Sequence, residues 1–139
     1  MNLIGRLVIK APIGKTMRAL LIVAHGSRLA ESNAEIATLS KKVACIAEEN
    51  FPLVACAFLE LADPSIPQGV AQMVDEGANS IVVVPYFLAQ GTHVKNDIPK
   101  AVLQAQTEHP NVSITISNYF GAAGSVPEML AKLAIEEQK

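Results

Sequence analysis

Three side chains able to do chemistry stand where apolar runs end: His25, Glu60 and His93. The segment LLIVAHGSR breaks at His25-Gly26-Ser27-Arg28. The segment VVVPYFLAQGTHVKNDIP passes through a Gly-containing turn to His93. Imidazole is the commonest protein metal ligand and a general base near neutral pH. Two imidazoles and a carboxylate suit divalent transition ions such as iron, cobalt, nickel or zinc. Taken singly, each residue also has a plain reading: a histidine satisfied by water or backbone, or a first-turn carboxylate facing solvent. None of the three is near another in sequence, so their spacing carries no specificity. The case rests on a fold that gathers them.

The elements that must do the gathering alternate along the chain. Ala19–Ala24 is a continuous apolar run, the pattern of a strand buried on both faces. Ile36, Leu39, Val43 and Ile46 recur at helical spacing and predict a helix from Asn33 to Glu49 with that stripe inward. Pro52 stops it. Leu53–Leu59 is a second strand run. Asp63 before Pro64 predicts a helix cap, and Ile66, Val70, Met73 and Val74 predict the buried stripe, with Gly77 as a C-terminal stop. Ser80–Val84 is the most β-branched stretch. Tyr86–Gly91 reads as a loop and a candidate lid. Thr92 is placed to cap a short turn carrying His93, and Asp97 with Pro99 to start the next helix, which ends before His109 and Pro110. Val112–Ile116 reads as the last strand, Gly121 and Gly124 as a turn, and Pro127–Glu137 as a closing helix.

This β-α-β-α-β-α-β-α order predicts an α/β fold: a single three-layer domain with a mainly parallel four-stranded sheet and helices on both faces. Right-handed crossovers place all strand-to-helix turns on one edge of the sheet. That edge then carries His25 to Arg28, Glu60, Tyr86 to His93, and Asn118 to Gly124, where open α/β sheets bind ligands.

With 139 residues, half of them hydrophobic and 17% charged, the chain suffices for one core and argues against disorder. A net charge of −2, 6 aromatics from 2 Tyr and 4 Phe, and no Trp give no nucleic-acid surface. No apolar run approaches the roughly 20 residues of a membrane span. Cys45 and Cys56 form no C-x-x-C pair and read as reduced, buried thiols, which points to the cytoplasm. Residues 1–16 carry Arg6, Lys10 and Lys15 and no acid, and lack the apolar core of an export signal. They read as an N-terminal extension before a 17–139 domain, with Leu3–Lys10 a candidate extra edge strand and Met17 a candidate native start.

Other readings of His-Gly-Ser lack their motifs. There is no G-x-S-x-G elbow, so a hydrolase using Ser27 is disfavoured. Ala24, rather than Arg, precedes His25-Gly26, against a phosphoglycerate-mutase-like phosphatase. Gly121-x-x-Gly124 is too weak and too late for a dinucleotide fingerprint.

LLIVAHGSR, AFLELADPSIP and VVVPYFLAQGTHVKNDIP together resemble the sirohydrochlorin chelatases, small CbiX-type members of the class II chelatases. The resemblance spans roughly Arg18 to Asn118. The third block carries Pro85, Phe87, Leu88, Gly91, His93, Val94, Asp97, Ile98 and Pro99 in the family's order. The closing segment from Gly121 follows the family only loosely.

This resemblance implies ATP-independent insertion of a divalent metal, cobalt first or else iron or nickel, into sirohydrochlorin or a related tetrapyrrole. It implies His25 and His93 as catalytic metal ligands with Glu60 as the acidic partner, and a homodimer around the macrocycle. The metal is then substrate, and no cofactor is tightly bound. Sirohydrochlorin's carboxylates call for local cations. Arg28 and Lys95 are the candidates, with the backbone at Gly26 and Ser27. Tyr86, Phe87 and Leu88 are expected to form either an apolar wall against the ring or a dimer contact, and Gly91 is expected to bind substrate. The alternative reading is a non-catalytic metal or tetrapyrrole carrier. A further one is a homodimerising half-domain that serves only assembly.

Overall fold

The computed structural model describes residues 16–138. The expected edge strand over Leu3–Lys10 lies outside the described residues. Four strands, β1 (Arg18–Ala24), β2 (Leu53–Phe58), β3 (Ser80–Pro85) and β4 (Ser113–Ile116), form one all-parallel sheet in the order β2-β1-β3-β4. Between and after them run α1 (Ala30–Ala47), α2 (Ile66–Asp75), α3 (Ile98–Glu108) and α4 (Val126–Glu137). The chain steps one way across the sheet from β1 to β2 and the other way from β2 through β3 to β4. Right-handed crossovers therefore put α1 on one face and α2 with α3 on the other.

The main core lies under α2 and α3. Ala19, Leu21 and Val23 of β1 and Ile81 and Val83 of β3 meet Ile66, Val70 and Met73 of α2 and Ile98, Val102 and Ala105 of α3, all buried. Strand β1 is paired on both sides. Ala24 stands opposite Phe58, and Val23 opposite Pro85. Among the described residues no helix is long and apolar enough to cross a membrane.

Three expectations need correction. The first concerns the start of α2. It begins at Ile66, capped by Ser65 rather than Asp63. The Ser65 hydroxyl accepts from the Gln68 N–H and the Gln68 side chain accepts from the Ser65 N–H, a reciprocal pair that satisfies two orphan donors. Pro67, not Pro64, occupies the first turn of the helix.

The second concerns α1. Its inward residue is Ser40, whose hydroxyl donates to the Ala37 carbonyl. Ile36, Leu39 and Val43 are only half-buried and Ile46 is 86% exposed. The apolar stripe is thus only partly covered, with Ile46 turned to solvent. Cys45, on the same helix, is exposed rather than buried.

The third concerns the turn before α3. Thr92 makes no side-chain cap, because the turn carrying His93 is a π-helical turn (His93–Asp97) that runs directly into α3.

The capping correction is measurable. Ser65→Ala is expected to lower unfolding stability by about 1 kcal/mol. Asp63→Ala should leave it nearly unchanged. Urea denaturation of both variants checks this, and the reverse order would return the cap to Asp63.

Candidate functional site

The site is built by β1 and its two neighbours. His25 follows β1 directly. The chain leaving β2 stays hydrogen-bonded to it: Leu59 N–H donates to the Ala24 carbonyl, and Glu60 N–H to the His25 carbonyl at 3.0 Å. Glu60 is thus held beside His25 by backbone, two residues past the end of β2. On the other side Tyr86 N–H donates to Val23. The loop after β3 then turns back through Gly91, and the π turn delivers His93 to the same edge.

Gly26 makes the first of these junctions possible. Its φ is +97°, a region side chains rarely adopt. A Cβ there would overlap the Glu60 carbonyl oxygen. A second close approach steadies the loop after β3. Gly121 N–H donates to the Phe87 carbonyl at 2.9 Å, and a Cβ on Gly121 would overlap the Leu88 carbonyl. Phe120 meets the Tyr86 ring edge-on at 5.4 Å.

The three side chains converge. One ligand-capable atom from each of His25, Glu60 and His93 lies within 4.8 Å of the others. The two imidazole rings stand edge-on at 4.7 Å between centroids. His25 Nε2 is 3.0 Å from Glu60 Oε2, and His25 Nδ1 is 2.9 Å from the Gly26 carbonyl. A carbonyl only accepts, so Nδ1 carries the proton there. In a neutral ring Nε2 then faces the carboxylate as lone pair against lone pair. Only a proton or a metal cation between them reconciles that contact. Two ligands at right angles, each about 2.1 Å from an ion, lie about 3.0 Å apart. The donor set suits a divalent transition ion, and the His25–Glu60 spacing suits two of its ligands. The His25 and Glu60 side chains are 40% and 52% exposed, so solvent and substrate reach them.

The other expected site residues divide. Phe87 packs against the core and lies 6.5 Å from the His93 ring. Leu88 is 78% exposed, and Tyr86 faces Phe120. Gly91 and Lys95 are exposed, with the Lys95 N–H donating to the Gly91 carbonyl. Arg28 and Lys95 make no ion pair among the described residues. The Ser27 N–H is taken, donating to Asn33 Oδ1 at 3.0 Å, while its hydroxyl accepts from the Leu29 N–H and keeps its own O–H.

Sequence reasoning missed two residues of this edge. Asn33 clasps the His25 loop, its amide also donating to the Ser27 carbonyl at 2.8 Å. Only its place near the start of a helix, three residues after Ala30, could have flagged it. Asp97, expected as a helix cap, instead reaches His93 Nδ1 at 2.8 Å. The i,i+4 spacing of the two was the available signal.

Comparison with known proteins places this geometry in context. The CbiX family profile matches residues 19–137. A sirohydrochlorin cobaltochelatase of Methanocaldococcus jannaschii is 42% identical over 94 residues, covering 67% of this chain and 64% of that protein. A sirohydrochlorin ferrochelatase of Priestia megaterium is 31% identical over 116 residues, covering 84% and 43%. The chain therefore spans less than two thirds of the length of these relatives. Among solved structures, a Marinobacter aquaeolei VT8 protein described as a cobalamin biosynthesis CbiX protein superposes with a TM-score of 0.72 at 28% identity, covering 87% of this chain and 97% of that one. The sirohydrochlorin chelatase SirB of Bacillus subtilis, in complex with cobalt, gives 0.77 at 30% identity, covering 87% of this chain and 51% of that one.

The junction at Gly26 yields a direct expectation. Gly26→Ala should displace the Glu60 backbone and cost about 1–3 kcal/mol of stability. It should also weaken Co²⁺ binding at least about tenfold, one missing ligand being enough for that. Urea denaturation and calorimetric titration read the two effects. Unchanged Co²⁺ affinity would show that Glu60 is not held by this contact.

Proposed function

The chain belongs to the CbiX family, and from that premise we propose that it inserts a divalent metal ion into sirohydrochlorin or a closely related tetrapyrrole. The observation that carries this reading is the convergence of His25, Glu60 and His93 on one sheet edge. The reaction exchanges two pyrrole protons for one dication. Imidazole and carboxylate replace water on the incoming ion. A histidine or Glu60 that is not holding the ion at that moment accepts a pyrrole proton as general base. No nucleotide is needed, because ligand exchange and proton transfer are local events. The ion is substrate, and no resident cofactor enters the reading. Arg28 and Lys95, exposed beside the histidines, are proposed to meet the carboxylates of the macrocycle.

Cobalt is the first choice of metal. Relatives named cobaltochelatases include the Methanocaldococcus jannaschii and Methanopyrus kandleri proteins, each at 42% identity. Ferrochelatases from Priestia megaterium and Bacillus subtilis follow at 31% and 35%. We place the reaction in the cytoplasm, where the unpaired Cys45 and Cys56 remain reduced.

The working unit is proposed to be a homodimer. A cavity beside the triad, lined by Leu59, Glu60, His93 and Asp97, is about 190 Å³. That is below the roughly 300–1,000 Å³ of ordinary small-molecule pockets, so a tetrapyrrole needs a second wall. The chain matches 97% of a short CbiX protein and 51% of the longer SirB. Apolar surface is available for a second copy. Helix α4 buries no residue, and its Leu130 and Leu133 are 64% and 65% exposed. The partly covered stripe of α1 borders a groove of about 320 Å³ with Ile36, Leu39 and Tyr86 in its walls.

Two measurements test these statements. Mixing the protein with sirohydrochlorin and Co²⁺, Fe²⁺ or Ni²⁺ in turn, and following the visible spectrum, should show insertion above the spontaneous rate, fastest with Co²⁺. His93→Ala should abolish it with the far-UV circular dichroism unchanged. Equal activity in that variant would remove His93 from the reaction, and tight tetrapyrrole retention without turnover would make the protein a carrier. Light scattering on the eluting peak of a sizing column should give twice the chain mass. The Leu130→Glu, Leu133→Glu double variant should give the monomer, and a monomeric parent chain would end the dimer proposal.

A further inference from the structure

Asp97 has the sequence credentials of a helix cap and does not act as one. Helix α3 starts at Ile98 with Pro99 in its first turn, so a side-chain oxygen at residue 97 would be expected to accept from the backbone beyond it. No such bond forms. The Asp97 backbone is itself helical, at φ −73° and ψ −40°, because the π turn flows into α3 without a break. The Ile98 N–H is taken by the His93 carbonyl, and Pro99 has no N–H to offer a cap. The carboxylate makes no cap bond at the helix start. It turns back one turn instead and meets His93 Nδ1 at 2.8 Å.

We propose that Asp97 is the positioning residue of the site, holding the proton of His93 on Nδ1 and so presenting Nε2 bare toward Glu60 and His25. A carboxylate only accepts, so the bonded nitrogen is the protonated one. Nε2 is then the lone-pair nitrogen, the one a metal ion requires. Metal-binding histidines depend on such a partner to set tautomer and ring plane. His25 obtains the same tautomer from the Gly26 carbonyl. The two rings are thus set alike by different means, one by a backbone carbonyl and the other by an ionisable side chain. Asp97 is not a member of the three-residue ligand cluster, and its Oδ2 is engaged with the ring. Its action runs through His93. The π turn serves this contact as well. It closes the segment in one wide turn, so both ends, His93 and Asp97, face each other across it while His93 points to the sheet edge.

The inference rests on the reading of His93 as a ligand, and its test does not require insertion activity. Nitrogen-15 imidazole spectra of the full chain without added metal should show His93 as the Nδ1–H tautomer. In Asp97→Ala the ring should revert to the Nε2–H form or to rapid exchange between the two. Calorimetric Co²⁺ affinity should fall about 10–100-fold. In the insertion assay KM for the metal should rise while KM for the tetrapyrrole stays level. Asp97→Asn, whose amide oxygen still accepts from Nδ1, should recover a large part of the Co²⁺ affinity. A merely structural aspartate would lower the melting temperature without moving the tautomer. A parent chain with His93 as Nε2–H would overturn the proposal even if Asp97→Ala fails to fold. So would a folded Asp97→Ala with parental tautomer and Co²⁺ affinity. Absent insertion with these binding effects intact would overturn the chelatase reading alone and leave this one standing.

Discussion

Strand β1 is flanked in parallel by β2 and β3, and the site depends on that pairing. Its carbonyls at Val23, Ala24 and His25 receive the chain as it leaves both neighbours. The apolar run of β1 is buried along most of its length, so a slip in register would turn its core-facing side chains outward. Burial therefore fixes where the strand ends, and the strand ends fix where His25 and Glu60 stand. Gly26 is the local consequence. Two chains that leave adjacent parallel strands at this distance leave no room for a Cβ between them.

The architecture was legible because burial writes itself into composition. IVVV and LLIVA read as strands covered on both faces, and alternation with helical segments left one topology class. What the sequence hid were choices between equivalent local signals. Asp63-Pro64 and Ser65-Ile66-Pro67 are both cap-like. The reciprocal bond between Ser65 and Gln68 decides for the second. Ile36, Leu39, Val43 and Ile46 form a periodic stripe, and periodicity reports that a face is apolar without saying what covers it. Asp97 was misjudged for a related reason. A cap is inferred by assuming a helix begins in open chain, and here it begins in another helical turn. At the site, residue types and strand ends marked His25, Glu60 and His93, with the family resemblance assigning their roles. The Asn33 clasp and the His93–Asp97 contact needed coordinates.

Two kinds of surface set this chain apart from a self-sufficient domain. The strand-end edge is polar, with the His93 and Asp97 side chains each 44% exposed. Helix α4 exposes Met129, Leu130, Leu133 and Ile135, and α1 exposes Ile46 among charged neighbours. The site is open on one side, and α4 buries no residue. In the dimer proposal the site loops supply donors and the second copy supplies enclosure. Enclosure strengthens every charge interaction with the substrate.

The central claim is that three strand ends hand one ion to a ring. Cobalt-edge X-ray absorption on the protein loaded with one equivalent of Co²⁺ addresses it most directly. The account predicts an inner shell containing two imidazoles and at least one carboxylate oxygen, with one imidazole lost in His25→Ala and one in His93→Ala. An all-oxygen shell in the parent protein, or a two-imidazole shell that survives both substitutions, would contradict it.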